Sequence, residues 1–514
     1  MASVLDPFVR LMYWLVLTVV ALVCAHVYLR VSGRRARKLL SHLPTYPTLP
    51  FLGNMHRYIG ARHNTYIIYR DVSAIMEEKN LPFVLWMGNI PVIVLSDPDD
   101  IRSVGATFVE KPYIYKYADE AIRDGLFSAP GVIWKQNIKK LGGAFRGITV
   151  DAFMTIFNQH SLTMVNRLEV EVDGEPFDLL DKYLGKTTLE TICETAFGLC
   201  DEYEITEEYI NAIIRLQELF VDRSMNFLYH FEPIYRMSLA WREMKRVSYI
   251  INNFTEKVLE KRVEGVKAAK YETKRKLQDE EVSFKSFLDI LLEMCEVDST
   301  LTLEQIKAEM NTILIAGQET TAIALTYIML MLGSNPRVQE KLYDEIITVC
   351  GDSDRHVCKE DLVGLSYCEA VICETLRLYP TVPGVGRLAD RDLVLKSCTI
   401  PEGATCCINI WGAGRSRRLW GDTAAQYRSE RWLSVNSTLA PPLLNFSTGR
   451  RACIGKQYAM CLMKTIIVYC VREMEFTSQA DKMALKVDIA VRPVSGHLVQ
   501  VRARNGDKQT CQTI

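Results

Sequence analysis

Ten residues near the C-terminal end, Phe446 to Gly455, limit what this chain can fold into more than any other stretch. They read FSTGRRACIG: a single cysteine, Cys453, in a loop punctuated by Gly449 and Gly455, flanked by Arg450 and Arg451, and followed by an apolar, helix-compatible run from Tyr458 to Val471. Each position has a physical use if Cys453 is the thiolate ligand of a haem iron. Such a sulfur needs a dry pocket with hydrogen-bond donors aimed at it, since these set its electron donation to the metal. Glycines allow a tight turn and let backbone N–H groups approach the sulfur. The positive N-terminal end of the following helix favours the anion. Phe446 is placed to shield the ligand face from water, and Arg451 to pair with a haem propionate.

The stretch resembles the haem-binding signature of the cytochrome P450 superfamily, Phe-x-x-Gly-x-Arg-x-Cys-x-Gly, with every fixed position matched. The plainer alternative is a buried structural cysteine in a glycine-bearing turn, the usual fate of a lone cysteine. That alternative leaves the other matched positions unexplained.

A length of 514 residues admits several domains, although single-core enzymes of this size exist. Hydrophobic content of 48% and a net charge of −1 describe an ordinary globular protein and give no electrostatic case for nucleic acid. The 15 cysteines are scattered, with Cys406 and Cys407 adjacent and no regular framework, which fits reduced thiols in a cytosol-facing domain.

Leu11 to Leu29 contains no Asp, Glu, Lys or Arg. At about 1.5 Å per residue it can span a hydrocarbon core of about 30 Å. Arg30, Arg34, Arg35, Arg37 and Lys38 follow it, against Arg10 and Asp6 before it, so the positive-inside rule puts the rest of the chain in the cytoplasm. The order of a cleaved signal peptide is missing, and a mitochondrial presequence would be amphipathic and Arg-rich. Pro44, Pro47 and Pro50 then stiffen a spacer. The expected organisation is a tail over 1–10, an anchor over 11–29, a basic and Pro-rich linker over 30–56, one domain over 57–504 and a tail over 505–514.

Phe83 to Leu95 reads as two strands around Gly88-Asn89, with a helix starting near Asp97. Between Val109 and Ala129 the alternating Tyr113, Tyr115 and Tyr117 suit either the roof of an apolar pocket or one surface strand. Trp134 opens a helix carrying Lys135, Lys139 and Lys140. The superfamily has Trp-x-x-x-Arg here, both residues holding haem propionates; Ile138 stands at the Arg position, so only Trp134 carries over, with Lys135 or Lys139 as possible substitutes. Residues 150 to 300 read as successive amphipathic helices. The charge-dense run with Lys257, Lys261, Arg262, Lys274, Arg275 and Lys276 reads as a solvated helix face and linker.

Thr302-x-x-Gln305 is a capping box, and the apolar helix after it should stop at Gly333-Ser-Asn-Pro336, about 45 Å later. In its middle stands Ala316-Gly-Gln-Glu-Thr-Thr321. A Gly, an acid and a Thr inside a buried helix oppose both helix propensity and burial, and rule-breaking of this kind marks function. Gly317 permits close approach of backbone or ligand, and Thr320 can bond back to the preceding turn and open a groove. The stretch is similar to the superfamily's oxygen-activation pattern. By that resemblance Thr320 would hydrogen-bond bound dioxygen and help deliver protons, Glu319 would connect the site to solvent, and Ala316, standing where one branch has a haem-esterifying Glu, implies haem that is not covalently attached.

Glu374 and Arg377 lie at i and i+3 in ETLR, and Arg431 follows in YRSERW. The superfamily pairs these three as a buried ion network behind the haem, and Ser429 replaces its usual Pro. Arg387 is a propionate partner by the same resemblance. Alternating apolar residues around Ser495-Gly496 signal a hairpin, whose Val494-Ser-Gly tip the resemblance places near the substrate.

The fold class expected is mainly α with a small β region: the cytochrome P450 fold, haem lying between the long helix and the Cys453 loop, plus one N-terminal transmembrane helix. Catalysis would use Thr320 and Glu319. Cofactor binding would use Cys453 as axial ligand, with Phe446, Arg451, Gly449, Gly455, Trp134, Arg387 and Gly317 around the haem b. The resemblance, closest to the animal clan of fatty-acid omega-hydroxylases and to insect members, implies insertion of one oxygen atom from O2 into a lipophilic substrate. Electrons would come from NADPH through cytochrome P450 reductase, with cytochrome b5 as a second partner, on the endoplasmic reticulum membrane. A basic face formed by Arg450, Lys456, Lys139 and Lys140 suits an acidic partner. Two rival readings are a haem-thiolate isomerase or dehydratase working without O2 and a non-catalytic haem carrier.

Overall fold

The computed structural model describes residues 7–58, 62–142, 152–199, 207–273, 285–297, 301–351, 355–433 and 443–504. The tail over 505–514, residues 1–6, and Lys274, Arg275 and Lys276 of the charge run lie outside the described residues.

The long helix, Leu303–Ser334, is the column on which the other elements pack. Thr302 caps it, its hydroxyl accepting from the Gln305 N–H at 3.2 Å. Every residue from Ala322 to Gly333 is buried. By length and composition this helix could cross a membrane, but a helix apolar all round and covered by protein is a core helix. Around it lie the helices Gly185–Phe197, Ser366–Leu378 and Lys456–Glu473. Ile323, Leu325, Ile328, Leu330, Ile466, Ile467 and Val471, all without exposed surface, belong to one apolar cluster that fills the space between them. The helix assignment runs unbroken through Ala316-Thr321, where the Thr320 and Thr321 hydroxyls donate back to the Ala316 and Gly317 carbonyls at 2.7 and 2.9 Å.

Strands are few. β1 (Phe83–Met87) and β2 (Ile90–Leu95) pair antiparallel around Gly88, which has φ +61°. β3 (Gly384–Leu388), β4 (Leu393–Val394), β5 (Thr399–Ile400) and β6 (Thr405–Asn409) follow in the chain, and one sheet runs in the order β1-β2-β6-β3. The remaining strands are β7 (Met474–Ser478), β8 (Ala484–Val487), β9 (Val491–Ser495) and β10 (Val499–Ala503). The hairpin expected across Ser495-Gly496 is not made: β9 pairs with β8, and β10 pairs with β7. Burial decides this, because Val499 and Val501 sit fully buried in the cluster that holds Phe476 of β7, while Pro493 removes a ladder donor from β9.

Tyr113–Ala118 is a 3-10 turn rather than a surface strand, with Tyr115 and Tyr117 buried and Tyr113 exposed. Three residues per turn after Pro112 replace the twofold alternation. The helix containing Trp134 begins three residues earlier, at Gly131, whose N–H donates to both Glu110 carboxylate oxygens at 3.0 Å.

The N-terminal helix spans Pro7–Ser32 and leaves Leu11, Tyr13, Trp14 and Val23 uncovered by protein. The linker after it is docked rather than a free spacer. Leu40 and Leu43 are buried beside Trp86 and Ile400, Arg35 pairs with Asp392, and the Arg37 guanidinium lies 4.3 Å over the Trp86 ring. Further on, the Val84 N–H donates to the Pro44 carbonyl and the Trp86 N–H to Asn54 Oδ1. A truncation that begins at Arg34 should therefore keep the thermal unfolding midpoint of the full chain. One that begins at Arg57 exposes this surface and should lower the midpoint by several degrees, as a loss of about 2–4 kcal/mol predicts.

Candidate functional site

The cysteine loop is held on three sides. Its own turn closes with the Cys453 N–H donating to the Phe446 carbonyl at 2.8 Å. Gly449, at φ +74°, rests on Gly105 of the helix Pro98–Thr107, so closely that a Cβ on Gly449 would stand 2.1 Å from the Gly105 oxygen. Arg451, buried, spends donors on the Val109, Leu126 and Ala129 carbonyls, and its guanidinium lies 4.6 Å over the Trp134 ring. The helix Lys456–Glu473 starts directly after Gly455. Gly455 has an ordinary φ of −85°, and a Cβ there would meet only the Cys453 sulfur, at 3.9 Å. The two glycines are therefore unequal: the loop needs Gly449 for its backbone.

Protein packs around Cys453, yet its side chain is exposed. Burial pushes its thiol pKa up, while the Gly455 N–H and the Lys456 charge pull it down. Ile454 packs on the apolar cluster that also carries Ile313 and Ile315 of the long helix. On that helix Ala316 is exposed and Thr320 half-buried, well past the exposed first turn at Leu303 and Glu304. Gly317 makes room for a neighbouring helix: a Cβ would lie 2.4 Å from Ile192 Cδ1.

Glu319 is buried and ion-paired. Its carboxylate accepts from Arg492 of β9, and Arg492 in turn lies in the field of Asp178, Asp181 and Glu218. Arg492 carried no signal in the sequence, because it reaches Glu319 only through the β8–β9 pairing.

Glu374, with no exposed surface, accepts two hydrogen bonds from Arg377 at 2.8 and 2.9 Å, one from Arg431 at 3.0 Å, one from the Arg428 N–H at 2.7 Å and one from Trp432 Nε1 at 2.9 Å. Arg377 also donates to the Gly414, Ala424 and Gln426 carbonyls. Burial alone would raise the Glu374 pKa; the paired arginines outweigh it and hold the carboxyl below its ordinary value. Such a network is self-satisfied, and removing one partner of a buried pair costs about 3–5 kcal/mol.

A second charged group has no such balance. Arg387 is 1% exposed; its Nη1 donates to the Gly386 carbonyl and its Nη2 to Ser447 Oγ, and its Nε has no partner among the described residues. Burial and then the Arg387 charge lower the pKa of Arg451, and burial followed by both arginines lowers that of Lys111. Ile138 packs with Val109, Ala129 and Trp134, while Lys135 and Lys139 are exposed. The exposed Cys453 thiol, the exposed Ala316 on the long helix and two buried arginines, Arg451 with Glu110 acting on it and Arg387 with an Nε that has no partner among the described residues, fit a haem with its two carboxylates.

The long helix is tied to this region by Glu309. Its carboxylate accepts from the Leu126 N–H at 2.9 Å, Gln305 at 2.8 Å and Asn137 at 3.1 Å, and the Leu126 carbonyl receives Arg451. Burial raises the Glu309 pKa to about 7 against those hydrogen bonds. An acid raised in the folded state stabilises fully below its unfolded pKa and loses that contribution as pH rises towards 7. The unfolding midpoint of the protein should therefore fall between pH 5 and pH 7 more steeply than that of Glu309→Gln. Parallel curves would remove Glu309 as the cause. In the loop, Gly449→Ala should abolish accumulation of haem-loaded protein, whereas Gly455→Ala should retain at least half of it, read from the haem absorbance per polypeptide.

Comparison with known proteins agrees with this geometry. The family model described as Cytochrome P450 matches residues 43–499. The chain is 28% identical over 504 residues to Cytochrome P450 4c21 of Blattella germanica, covering 96% of this chain and 99% of that protein. It is 28% identical to Cytochrome P450 4V2 of Rattus norvegicus over 97% of this chain and 98% of that one. For Cytochrome P450 4d1 of Drosophila melanogaster the identity is 29%, over 89% and 92%. The chain belongs to the cytochrome P450 family, and is a haem-dependent monooxygenase.

Proposed function

We propose that this monooxygenase inserts one oxygen atom from O2 into a lipophilic substrate, a fatty acid, a hormone or a foreign apolar compound, with electrons from NADPH delivered by a flavoprotein reductase. The observation that carries the reading is the uncovered Cys453 sulfur at the start of a helix, with the Gly455 N–H and the Lys456 charge favouring its anion. Thiolate-held haem iron supplies O–O bond cleavage when bound. The chain supplies the rest. Cys453 ligates through Sγ, and Arg387 and Arg451 receive carboxylates at the edge of the ring. The buried wall of the long helix excludes water, and Thr320, whose hydroxyl proton goes to the Ala316 carbonyl, offers Oγ1 as an acceptor that holds a proton donor beside the exposed Ala316. Glu319 holds its negative charge against Arg492, ready to pass a proton from the β9 side.

The membrane reading rests on the uncharged run Leu11–Leu29 within the helix Pro7–Ser32 and its uncovered apolar side chains. We assign it as a single-pass anchor in the endoplasmic reticulum, with the domain on the cytoplasmic side, as the following basic residues favour. Arg450, Lys456 and Lys139 are exposed and offer a basic face to an acidic electron donor. Reconstituted with reductase and NADPH, the protein should oxidise members of a lipid and hormone panel. Arg450→Glu should cut that turnover several-fold while sparing turnover driven by peroxide. Product formation without NADPH would favour an isomerase, and equal losses in both assays would remove the docking role of Arg450.

A further inference from the structure

We propose that a cavity on the sheet side of the molecule is a second binding site, for a small zwitterion that enters with its ammonium inward and keeps its anionic group at the mouth. The cavity lies between the end of the helix Arg62–Lys79, the chain leaving β2, the β4–β5 turn and residues 412–419, and it shares no lining residue with the haem site.

The cavity measures about 490 Å3, inside the roughly 300–1,000 Å3 usual for small-ligand sites. Its charges are sorted by depth. Met76, Gly412 and Asp100 are the buried part of the wall, and Asp100 is 2% exposed. The Asp100 carboxylate accepts from the Ser397 hydroxyl, a neutral donor. The charged side chains acting on it are Asp97 and Asp99, both negative, and burial is the main effect that raises its pKa. A buried carboxylate in such company gains from a cation. Lys396 and Arg418 stand exposed at the mouth, and neither side chain has an ion-pair partner among the described residues.

The other acids of the wall are engaged. Glu77 accepts from Ser416 Oγ at 2.7 Å and from the Arg418 N–H at 3.3 Å, and Asp97 caps the helix Pro98–Thr107. Negative charge deep in the cavity and positive charge at its rim complement a molecule whose ammonium leads and whose anion trails. A purely cationic ligand would meet Lys396 and Arg418 on entry, and a purely anionic one would meet Asp100 at the bottom. Two walls of the cavity belong to supports of the haem site. The helix that carries Asp100 also carries Gly105, on which Gly449 rests. The helix Ile410–Arg415, which supplies Gly412, also supplies the Gly414 carbonyl that accepts from Arg377. A ligand between them ties both supports together, so occupancy should stabilise the whole protein.

The test uses the full-length haem-loaded protein with O-phosphoethanolamine as probe, and reads binding by calorimetry beside the thermal unfolding midpoint. At saturation the midpoint should rise by about 2 °C or more. Spermidine, with ammonium groups alone, and inorganic phosphate, an anion alone, should bind about ten-fold more weakly or worse, as the loss of one charge-assisted contact implies. Asp100→Asn should weaken the probe to a similar degree, as should Lys396→Glu combined with Arg418→Glu. Asp99→Asn, outside the cavity, should bind as the wild type does. If Asp100→Asn does not accumulate, the double variant at the mouth carries the comparison. Displacement of the probe by nanodiscs of phosphatidylethanolamine, but not of phosphatidylglycerol, makes a membrane-lipid head group the source of the ligand. Equal binding in both makes it a free molecule, and either result supports the site. Lys396→Met should leave the midpoint of the ligand-free protein unchanged; a fall there makes Lys396 the resident partner of Asp100 and overturns the assignment. So does a wild type that does not bind the probe, or binding that survives both the Asp100 and the mouth variants.

Discussion

The contact between Gly449 and Gly105 is the constraint on which the rest of the site depends. Two backbones meet there with no room for a methyl group, and this fixes the cysteine loop against the helix Pro98–Thr107. From that contact Arg451 can reach three carbonyls of the segment between Val109 and Ala129, and Leu126 of that segment reaches Glu309 on the long helix. Loop, cap and column thus hold one another by hydrogen bonds that leave the Cys453 sulfur uncovered. A rigid frame of this kind is what a thiolate ligand needs, since the donors around sulfur set its chemistry.

Charge divides the protein into two kinds of buried site. Around Glu374 every charge is answered within the chain: two arginines, a backbone N–H and an indole meet one carboxylate. Around Arg387 and Arg451 the answer is incomplete: Glu110 acts on Arg451, but Arg387 Nε has no partner among the described residues. A fold can keep the first kind for its own stability. The second kind makes physical sense only with a bound anion, because an uncompensated buried charge costs several kcal/mol. Glu319 stands between these cases. It is satisfied, but by an arginine from β9 whose other neighbours are acidic, so its partner is shared with the surface side of the molecule.

Local chemistry explains what was legible in the sequence. The capping residue Thr302, the Gly88-Asn89 turn and the end at Gly333-Ser-Asn-Pro336 are written in adjacent residues, and the structure has these elements within a residue or two of expectation. The loop around Cys453 and the order Glu374, Arg377, Arg431 were legible because each needs particular residue types at fixed spacing. What escaped was decided at long range. β9 and β10 look like a hairpin, but their partners are chosen by burial of Val499 and Val501 and by the non-local strand β7. The tyrosine alternation at 113–117 imitates a strand and folds as a 3-10 turn. Arg492 became visible only when the pairing of β8 with β9 brought it to Glu319. The linker's Leu40 and Leu43 read as spacer residues until the sheet that covers them was in place.

The central claim is that one sulfur of this chain, Cys453 Sγ, is bonded to the iron. X-ray absorption at the iron edge of the purified protein tests it directly, with Cys453→His as the comparison. The account predicts one sulfur ligand in the wild type and none in the variant. An iron without sulfur in the wild type, or a sulfur ligand that survives the substitution, would contradict it.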